Sequence, residues 1–270
     1  MSAHLLIDAG NTRIKAAWLE PGPPAAPGAI HHLDHNGLAA ALTDWLGAAR
    51  PAPGFHVWIS NVAGAAFAQR LTAALAPWRA ELHWPRPSAT FDRLHNEYER
   101  PEQLGVDHWL GLLGVLAHVR RQQADAALPP VLLAQFGTAT TIDALVGQRF
   151  IGGLILPGYS LMLEALVNGT AALPLATGQQ RAFPRNTHDA IVSGVAAAQA
   201  GAVLRQRARL MHEFGQAPLL FVAGGAWPVL AGELRTQLDQ AGSTSPLQVV
   251  DNPVLDGLAR VATLSHPFSF

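Results

Sequence analysis

The chain has no cysteine among its 270 residues and little charge, with charged residues at 14% and a formal net charge of −1. The absence of cysteine excludes disulfides, thiolate metal sites and thiol nucleophiles. The low charge leaves no basic field to attract nucleic acid or an anionic membrane. Any ligand is therefore expected in a local site, with neither nucleic acid nor membrane as a partner.

Long apolar runs are missing as well. No run approaches the roughly 20 residues that a bilayer span requires, because the longest candidates are broken by Gln, Gly or Pro. The start, MSAHLLIDAG, has neither a basic region nor a long apolar stretch of the kind that begins a signal peptide. We therefore expect a cytoplasmic protein. Its 49% of hydrophobic residues can form a core for one large domain or two small ones.

The opening stretch, HLLIDAGNTRIKAAWLE, is an apolar segment interrupted by a polar tip. His4 to Ile7 is typical of a buried strand, and Ile14 to Leu19 of its antiparallel return. The simple interpretation is a hairpin, since glycine and asparagine suit a tight turn. A turn does not explain Asp8, because an unpaired carboxylate at the end of an apolar strand is costly.

Strands alternate with helices along the rest of the chain, which predicts an α/β architecture with helices covering sheets. The polar stretch 85–105 is predicted as a long loop, which by its length is either functional or disordered. The remaining segments are predicted as strands at 55–61 and 81–84, helices at 37–49, 65–75, 106–121 and 187–214, a helix ending near 168, and a strand, Gly-Gly turn and helix from 218.

The segment 130–146, PVLLAQFGTATTIDALV, repeats the opening unit. Placing Leu5 on Leu132 aligns Asp8 with Gln135 and the return strand 14–19 with 141–146. A repeated strand, glycine turn and strand predicts a duplicated domain, divided as 1–120 and 121–270. The alternative is a coincidence of two hairpins, because apolar strands around glycine are common.

Glycine turns at strand ends expose backbone N–H groups to which an anion can come close. Two such turns facing each other could hold a polyphosphate, and Asp8 could hold Mg²⁺ directly or through water. The Gly224-Gly225 turn suits backbone contact with a nucleotide. Each turn alone is more often only a turn, but together they indicate a phosphotransferase. No Gly-x-x-x-x-Gly-Lys-Ser/Thr loop is present.

Asp107, where the long loop becomes an apolar helix, is the candidate proton acceptor for a phosphoryl acceptor substrate. An N-cap of that helix is an equally good explanation from spacing alone.

The motifs resemble those of the type III pantothenate kinases, of the acetate kinase, sugar kinase, Hsp70 and actin superfamily. The resemblance implies duplicated ribonuclease H-like domains of the actin and hexokinase ATPase type, with mixed sheets flanked by helices. The matching segments, in the family's order, are DAGNTRIK (8–15), NEYERPEQLGVDH (96–108), FGTATTID (136–143), GGLILPG (152–158), TAALP (170–174), NTHDAIVSG (186–194) and AGGA (223–226).

The resemblance implies ATP-dependent phosphorylation of pantothenate to 4′-phosphopantothenate, the entry step of coenzyme A synthesis, by a homodimer whose long helices lie near the interface. Asp107 would accept the proton. Without the motifs, Tyr98 would be a loop aromatic and Thr187 a helix start. The residues implied for ATP are Asp8, Ala9, Gly10, Asn11, Thr12, Arg13, Ile14, Lys15 and Thr138, and those for pantothenate are Tyr98, Gly105, Val106, Asp107, His108 and Thr187.

Two positions depart from the family pattern, which usually has arginine at His108 and aspartate at Gln135. Histidine is shorter than arginine and is not permanently charged, so a substrate contact would be weaker. The missing aspartate would bind the activating K⁺ or NH₄⁺, so we expect weak or absent potassium dependence. Two alternatives follow: a kinase for another small alcohol or acid, and an ATP-binding accessory factor without catalysis.

Overall fold

The computed structural model describes residues 3–22, 24–122, 128–242 and 246–265. These residues fall into two compact units, one within Met1–Ala124 and Asn252–Phe270 and the other within Asp125–Asp251. The sequence predicted a division into 1–120 and 121–270, whereas in the structure residues 252–265 pack with the first unit. Among the described residues, none of the helices is both long enough and apolar enough to span a bilayer.

Strands and helices alternate as the sequence predicts. In chain order they are β1 (His4–Ala9), β2 (Ile14–Glu20), β3 (Ala26–Pro27), β4 (His31–Leu33), α1 (Leu38–Ala49), β5 (His56–Asn61), α2 (Ala65–Leu75), β6 (Glu81–His83), β7 (Thr90–Phe91), β8 (Leu94–Asn96), α3 (Val106–Gln122), β9 (Val131–Phe136), β10 (Ala139–Val146), β11 (Arg149–Pro157), α4 (Tyr159–Gly169), α5 (Thr187–Phe214), β12 (Leu219–Ala223), α6 (Trp227–Gln240), β13 (Leu247–Val249) and α7 (Pro253–Ser265).

The sheet of the first unit has the order β3-β2-β1-β5-β6, with β4 also paired to β2. Strand β1 is antiparallel to β2 and parallel to β5, and β6 is parallel to β5. Alternate residues of β1 and β5 point to one face and enter a core with α1 and α2. That core includes Leu5, Ile7, Val57 and Ile59.

The sheet of the second unit repeats this arrangement. Strand β9 is antiparallel to β10 and parallel to β12, and β13 is parallel to β12. Buried residues of β9 and β12 pack with Ala196, Ala200 and Val203 of α5 and with Leu230 and Leu234 of α6. The matching pairings support the predicted duplication, and two mixed sheets flanked by helices confirm the predicted α/β class.

The two hairpins differ in the length of their turns. In the first, Ala9 pairs with Ile14. In the second, Phe136 pairs with Thr140. The second turn is therefore one residue shorter, and the structural equivalent of Ile14 is Thr140. The sequence alignment, which placed residue 14 on residue 141, is wrong by one residue in the return strand, because it assumed turns of equal length.

The predicted long loop 85–105 contains a hairpin, β7 and β8, followed by a 3₁₀ turn at Pro101–Gln103. Asp92 and Arg93 connect the strands, both with positive φ (45° and 67°), as a two-residue hairpin turn of type I′ requires. The Asp92 carboxylate accepts hydrogen bonds of 2.6 and 3.0 Å from Arg260 of α7. This bidentate ion pair offsets the conformational cost of the two positive φ angles in the turn.

Helices α3 and α7 pack at unusually close range because each carries a glycine at the crossing. A Cβ added to Gly114 would meet the carbonyl oxygen of Pro253, and one added to Gly257 would meet the carbonyl oxygen of Leu110. Both obstacles are backbone atoms, which cannot rotate away. The close approach therefore depends on the absence of a side chain at these two positions.

We expect Gly257→Ala to lower the free energy of unfolding by about 1–3 kcal/mol, because the new methyl group overpacks the crossing. The matched control is Gly232→Ala on α6, where a Cβ meets nothing within 4 Å. That change removes backbone freedom from the unfolded chain and should raise stability by about 0.5–1 kcal/mol. Urea unfolding of both variants measures the difference, and equal effects would contradict the proposed role of Gly257.

Candidate functional site

Asp8 lies near the end of β1, between polar residues of both neighbouring strands. It is in register with Lys15 on β2 and with Ser60 on β5. Cross-strand partners in register project from the same face, so the three side chains form one row. The DAGNTRIK segment thus places a carboxylate beside an amine, as a site for phosphate and cation requires.

A tight turn joins β1 to β2, where the backbone N–H of Gly10 donates to the carbonyl oxygen of Arg13 at 3.1 Å. The flanking residues Ala9 and Ile14 are buried, which fixes the ends of the turn in the sheet. Asn11, Thr12 and Arg13 are exposed. The turn therefore presents its backbone and polar side chains to solvent.

Asp107 lies in the first turn of α3 and close enough to Asp8 to raise its pKa. The helix begins with Gly105, whose carbonyl oxygen accepts from the N–H of Trp109 at 3.0 Å. Asp107 is therefore not the N-cap, the alternative that the sequence left open. Its Oδ1 accepts from the N–H of His108 at 3.0 Å, which orients the carboxylate.

Asn252, at the beginning of α7, is a further neighbour of Asp8. Its Oδ1 accepts from the N–H of Leu255 at 3.1 Å, so it is the N-cap. Its Nδ2 and the Oγ of Ser60 are buried, and neither has a hydrogen-bond partner elsewhere among the described residues. Both groups can donate a hydrogen bond to the Asp8 carboxylate, which lowers its pKa.

Burial raises the pKa of Asp8 from 3.8 to about 6, although the side chain stays partly accessible to solvent. Lys15 opposes the rise, the Asp107 carboxylate adds to it, and Ser60 and Asn252 lower it again. A hard cation relieves this cost, because carboxylate oxygens are the ligands that Mg²⁺ prefers. The residues present thus fit a divalent cation at Asp8.

The segment that leads to α3 is held by Asn96, which is buried. The side chain of Asn96 accepts from the N–H of Tyr98 at 3.1 Å and donates to the carbonyl oxygen of Pro101 at 3.2 Å. Tyr98, Gly105 and Val106 are half-buried, and His108 is buried with 6% exposure. The predicted substrate residues other than Thr187 therefore lie on one segment, which the Asn96 side chain holds at Tyr98 and Pro101.

In the second unit, three glycine turns meet at the ends of β9, β11 and β12. The N–H of Gly158 donates to the carbonyl oxygen of Thr138 at 3.0 Å. Gly224, with φ of 103°, lies against the backbone of Phe136, where a Cβ would clash. Thr138 is exposed beside these turns. The close backbone packing explains the glycines and leaves a backbone surface suited to a nucleotide.

Gln135 is the counterpart of Asp8 in the second sheet. Its neighbours in register are Thr141 on β10 and Ala223 on β12. No charged group replaces the pair of Asp8 and Lys15 at these three positions. The second hairpin thus repeats the strand pairing of the first without its charges.

Thr187 is the first residue of α5 and is exposed. The preceding Asn186 caps the helix, since its side chain accepts from the N–H of Asp189 at 2.9 Å. The N–H of Gln179 donates to Asp189 at 2.7 Å and lowers its pKa. These bonds fasten the loop before α5 to the helix, and Thr187 lies where the two meet.

Within the first unit the structure brings together Asp8, Lys15 and Asp107, whereas Thr138, Gln135 and Thr187 belong to the second unit. Sequence reasoning missed Ser60 and Asn252. Both gave a weak signal: a polar residue ending the apolar strand FHVWIS, and an Asn before Pro, which is typical of a helix start.

Solved structures identify the fold. A protein of Sinorhizobium meliloti described as a 2-dehydro-3-deoxygalactonokinase is 15% identical with a TM-score of 0.63, over 98% of this chain and 100% of that chain. Acetate kinase of Entamoeba histolytica is 10% identical with a TM-score of 0.52, over 99% and 100%. The fold is that of the actin and hexokinase type ATPases, as predicted.

Sequence comparisons identify the family. The sequence model of type III pantothenate kinase matches residues 4–209. The type III pantothenate kinase of Bordetella petrii is 44% identical, covering 98% of this chain and 99% of the relative. The chain belongs to the type III pantothenate kinase family, which confirms the resemblance of its motifs.

The raised pKa of Asp8 makes stability depend on pH. Because the folded pKa of about 6 exceeds the ordinary 3.8, the contribution of Asp8 to stability is present below pH 3.8 and is lost as pH rises through about 6. The loss amounts to about 3 kcal/mol. Without divalent cations, Asp8→Asn should therefore be more stable than the wild type near neutral pH by up to this amount.

Urea unfolding in EDTA from about pH 4.5 to 7.5 measures the difference between the two proteins. It should shrink as the pH falls, and at neutral pH it should shrink when Mg²⁺ replaces EDTA. Asp44→Asn, at an exposed position of α1, is the control and should show neither effect. A difference independent of pH would contradict the assignment to Asp8.

Proposed function

We propose that the protein transfers the terminal phosphoryl group of ATP to the primary alcohol of pantothenate, forming 4′-phosphopantothenate for coenzyme A synthesis. The observation that carries the proposal is the family membership over nearly the whole chain, together with Asp8, Lys15 and Asp107 in one site. An actin and hexokinase type fold supplies the nucleotide-binding framework.

Asp107 is the proton acceptor. An alcohol is a far weaker acid than a carboxylic acid, so no alkoxide forms beforehand, and the carboxylate orients the hydroxyl and takes its proton as the phosphorus–oxygen bond forms. The bond from the N–H of His108 fixes the carboxylate for this task. This role of Asp107 depends more on how its carboxylate is oriented toward the hydroxyl than on how basic the carboxylate is.

The ATP phosphates contact the turn from Gly10 to Arg13, with Lys15 supplying positive charge opposite Asp8. Thr138 also contacts ATP. Asp8 holds Mg²⁺ directly or through water, and the ion would neutralise charge on the phosphates. Burial and the neighbouring Asp107 carboxylate, which raise the pKa of Asp8, favour a cation there.

Pantothenate contacts Tyr98, the segment 105–108 and Thr187. The braced loop around Asn96 supports this assignment, because a substrate segment held by two side-chain hydrogen bonds is ordered before the substrate arrives. At 6% exposure His108 is largely enclosed, so its ring offers less reach to a substrate carboxylate than arginine would.

The two other functions are less well supported. A kinase for another small alcohol uses the same fold, but the relatives that match over nearly full length are named as pantothenate kinases. An accessory factor without catalysis would have no need for Asp107 beside Asp8. A substrate panel and an ATP-binding measurement separate these functions from pantothenate phosphorylation.

A homodimer also belongs to the proposal, with α5 near the interface. Its support is the number of exposed apolar side chains that the second unit carries, among them Ile155, Leu175 and Phe183 at 66%, 59% and 89% exposure. Phe183 lies in the loop that is fastened to α5 through Asp189. A cytoplasmic location stays a prediction from the sequence.

Asp107→Asn should lower kcat about 10²- to 10⁴-fold, because the amide cannot accept the proton, while ATP binding stays within a few fold. Coupled-assay kinetics and ATP titration measure the two effects. Glu102→Gln is the control, since Glu102 is exposed on the adjoining turn, where its carboxylate pairs with the exposed Arg100. Full activity of Asp107→Asn would refute the assignment of the proton acceptor.

Potassium should have little effect on the wild-type rate, because Gln135 brings an amide oxygen but no charge to the position where the family has aspartate. Gln135→Asp should introduce activation by K⁺ or NH₄⁺. The measurement is kcat/KM in K⁺ or NH₄⁺ against an N-methylglucamine salt at equal ionic strength. Steep potassium activation of the wild type would contradict this role of Gln135.

A further inference from the structure

Three histidines and a glutamate lie on one face of the first sheet, near the beginning of its strands. His4, His56 and Glu81 are in register across β1, β5 and β6, and His83 is two residues beyond Glu81. Partners in register and residues two apart share a face. The opposite face carries Leu5, Val57 and the core with α1 and α2.

Three ligand atoms converge in this group. His56 Nδ1 lies 3.0 Å from His83 Nε2 and 3.3 Å from a carboxylate oxygen of Glu81. All three atoms are within 4.8 Å of one another. Two ligands bound at about 2.0–2.1 Å to a tetrahedral ion lie about 3.3 Å apart, so the 3.0 and 3.3 Å distances from His56 Nδ1 match two edges of such a site.

We propose that His56, Glu81 and His83 bind a divalent transition-metal ion, with Zn²⁺ as the best match. Two imidazole nitrogens and one carboxylate oxygen suit Zn²⁺ and its neighbours in the series, whereas Mg²⁺ prefers oxygen ligands alone. Three protein ligands leave a fourth position for water. The Glu81 side chain is 62% exposed, so the ion enters from solvent.

Neighbouring rings hold the two imidazoles in place. Trp58 stacks on His83 with ring centroids 4.2 Å apart, and His4 stacks on His56 at 4.9 Å. The indole N–H of Trp58 donates to His4 Nδ1 at 3.1 Å, which joins the two stacks. Ligands whose orientations are fixed by packing lose little freedom when they bind a metal.

The site proposed for Zn²⁺ is separate from the site at Asp8 and the turn from Gly10 to Arg13 that is proposed for ATP and Mg²⁺. His4 and Asp8 are four residues apart on β1, a distance of about 13 Å along the strand. An ion at His56, Glu81 and His83 would join β5 to β6, a strand of three residues at the edge of the sheet. We assign it a structural function, fastening this edge.

The alternative is a hydrogen-bonded imidazole pair with no metal. A carboxylate only accepts, so the Nδ1–H of His56 would donate either to Glu81 or to His83, and the ring stack alone would explain the burial. That arrangement has no reason to prefer Zn²⁺. The metal affinity of variants of Glu81, which is exposed, and His83, which is half-buried, separates the two explanations.

The experiment is calorimetric titration of the full-length chain, purified without a histidine tag, with Zn²⁺ in excess Mg²⁺ to occupy the Asp8 site. We expect one equivalent of Zn²⁺ to bind and Tm to rise by about 5 °C at saturating Zn²⁺. His83→Ala and Glu81→Gln should each weaken Zn²⁺ binding at least tenfold and abolish most of the rise in Tm.

His212→Ala, at an exposed position of α5 in the second unit, is the matched control and should bind Zn²⁺ as the wild type does. His56 is left unchanged because it is buried and its loss would confuse folding with binding. Circular dichroism confirms that the variants are folded. Absence of Zn²⁺ binding by the wild type, or unchanged binding in both variants, would overturn the proposal.

Discussion

The pairing of β1 with β2 on one side and β5 on the other is the constraint on which the site depends. It places Asp8 in register with Lys15 and Ser60, at the end of a strand whose other residues are buried. A carboxylate there is unfavourable in the folded protein, as its raised pKa shows. Selection for stability alone would not keep it, and the cation proposed at Asp8 would offset that cost.

The two units share their strand pairings but not the charged side chains at the equivalent positions. Both units use the same set of strand pairings, but the positions that hold Asp8, Lys15 and Ser60 in the first hold Gln135, Thr141 and Ala223 in the second. The repeated backbone supplies glycine turns twice, while the carboxylates at Asp8 and Asp107 belong to the first unit alone. One strand arrangement thus provides an acidic site in one copy and a neutral backbone surface in the other.

Local patterns gave the elements, because helical and strand periodicity depend on neighbouring residues, and α2 and α5 begin and end where the sequence predicts. Four features could not be predicted, since each depends on residues far apart in the chain: the packing of α7 with the first unit, the Asp92 and Arg260 pair, the approach of Asn252 to Asp8, and the histidine group. The one-residue difference between the hairpin turns was invisible for a similar reason, because register is set by pairing and not by composition.

The return of the chain to the first unit has a consequence for the site itself. Helix α3 carries Asp107 in its first turn, and α7 begins at Asn252, which faces Asp8. The two helices cross where Gly114 and Gly257 allow backbone contact, two turns from Asp107 and little more than one from Asn252. The crossing therefore sets the distance between the proposed proton acceptor and the donors around Asp8. Two glycines remote from the substrate segment thereby help to position Asp8 and Asp107, the carboxylates of the proposed site.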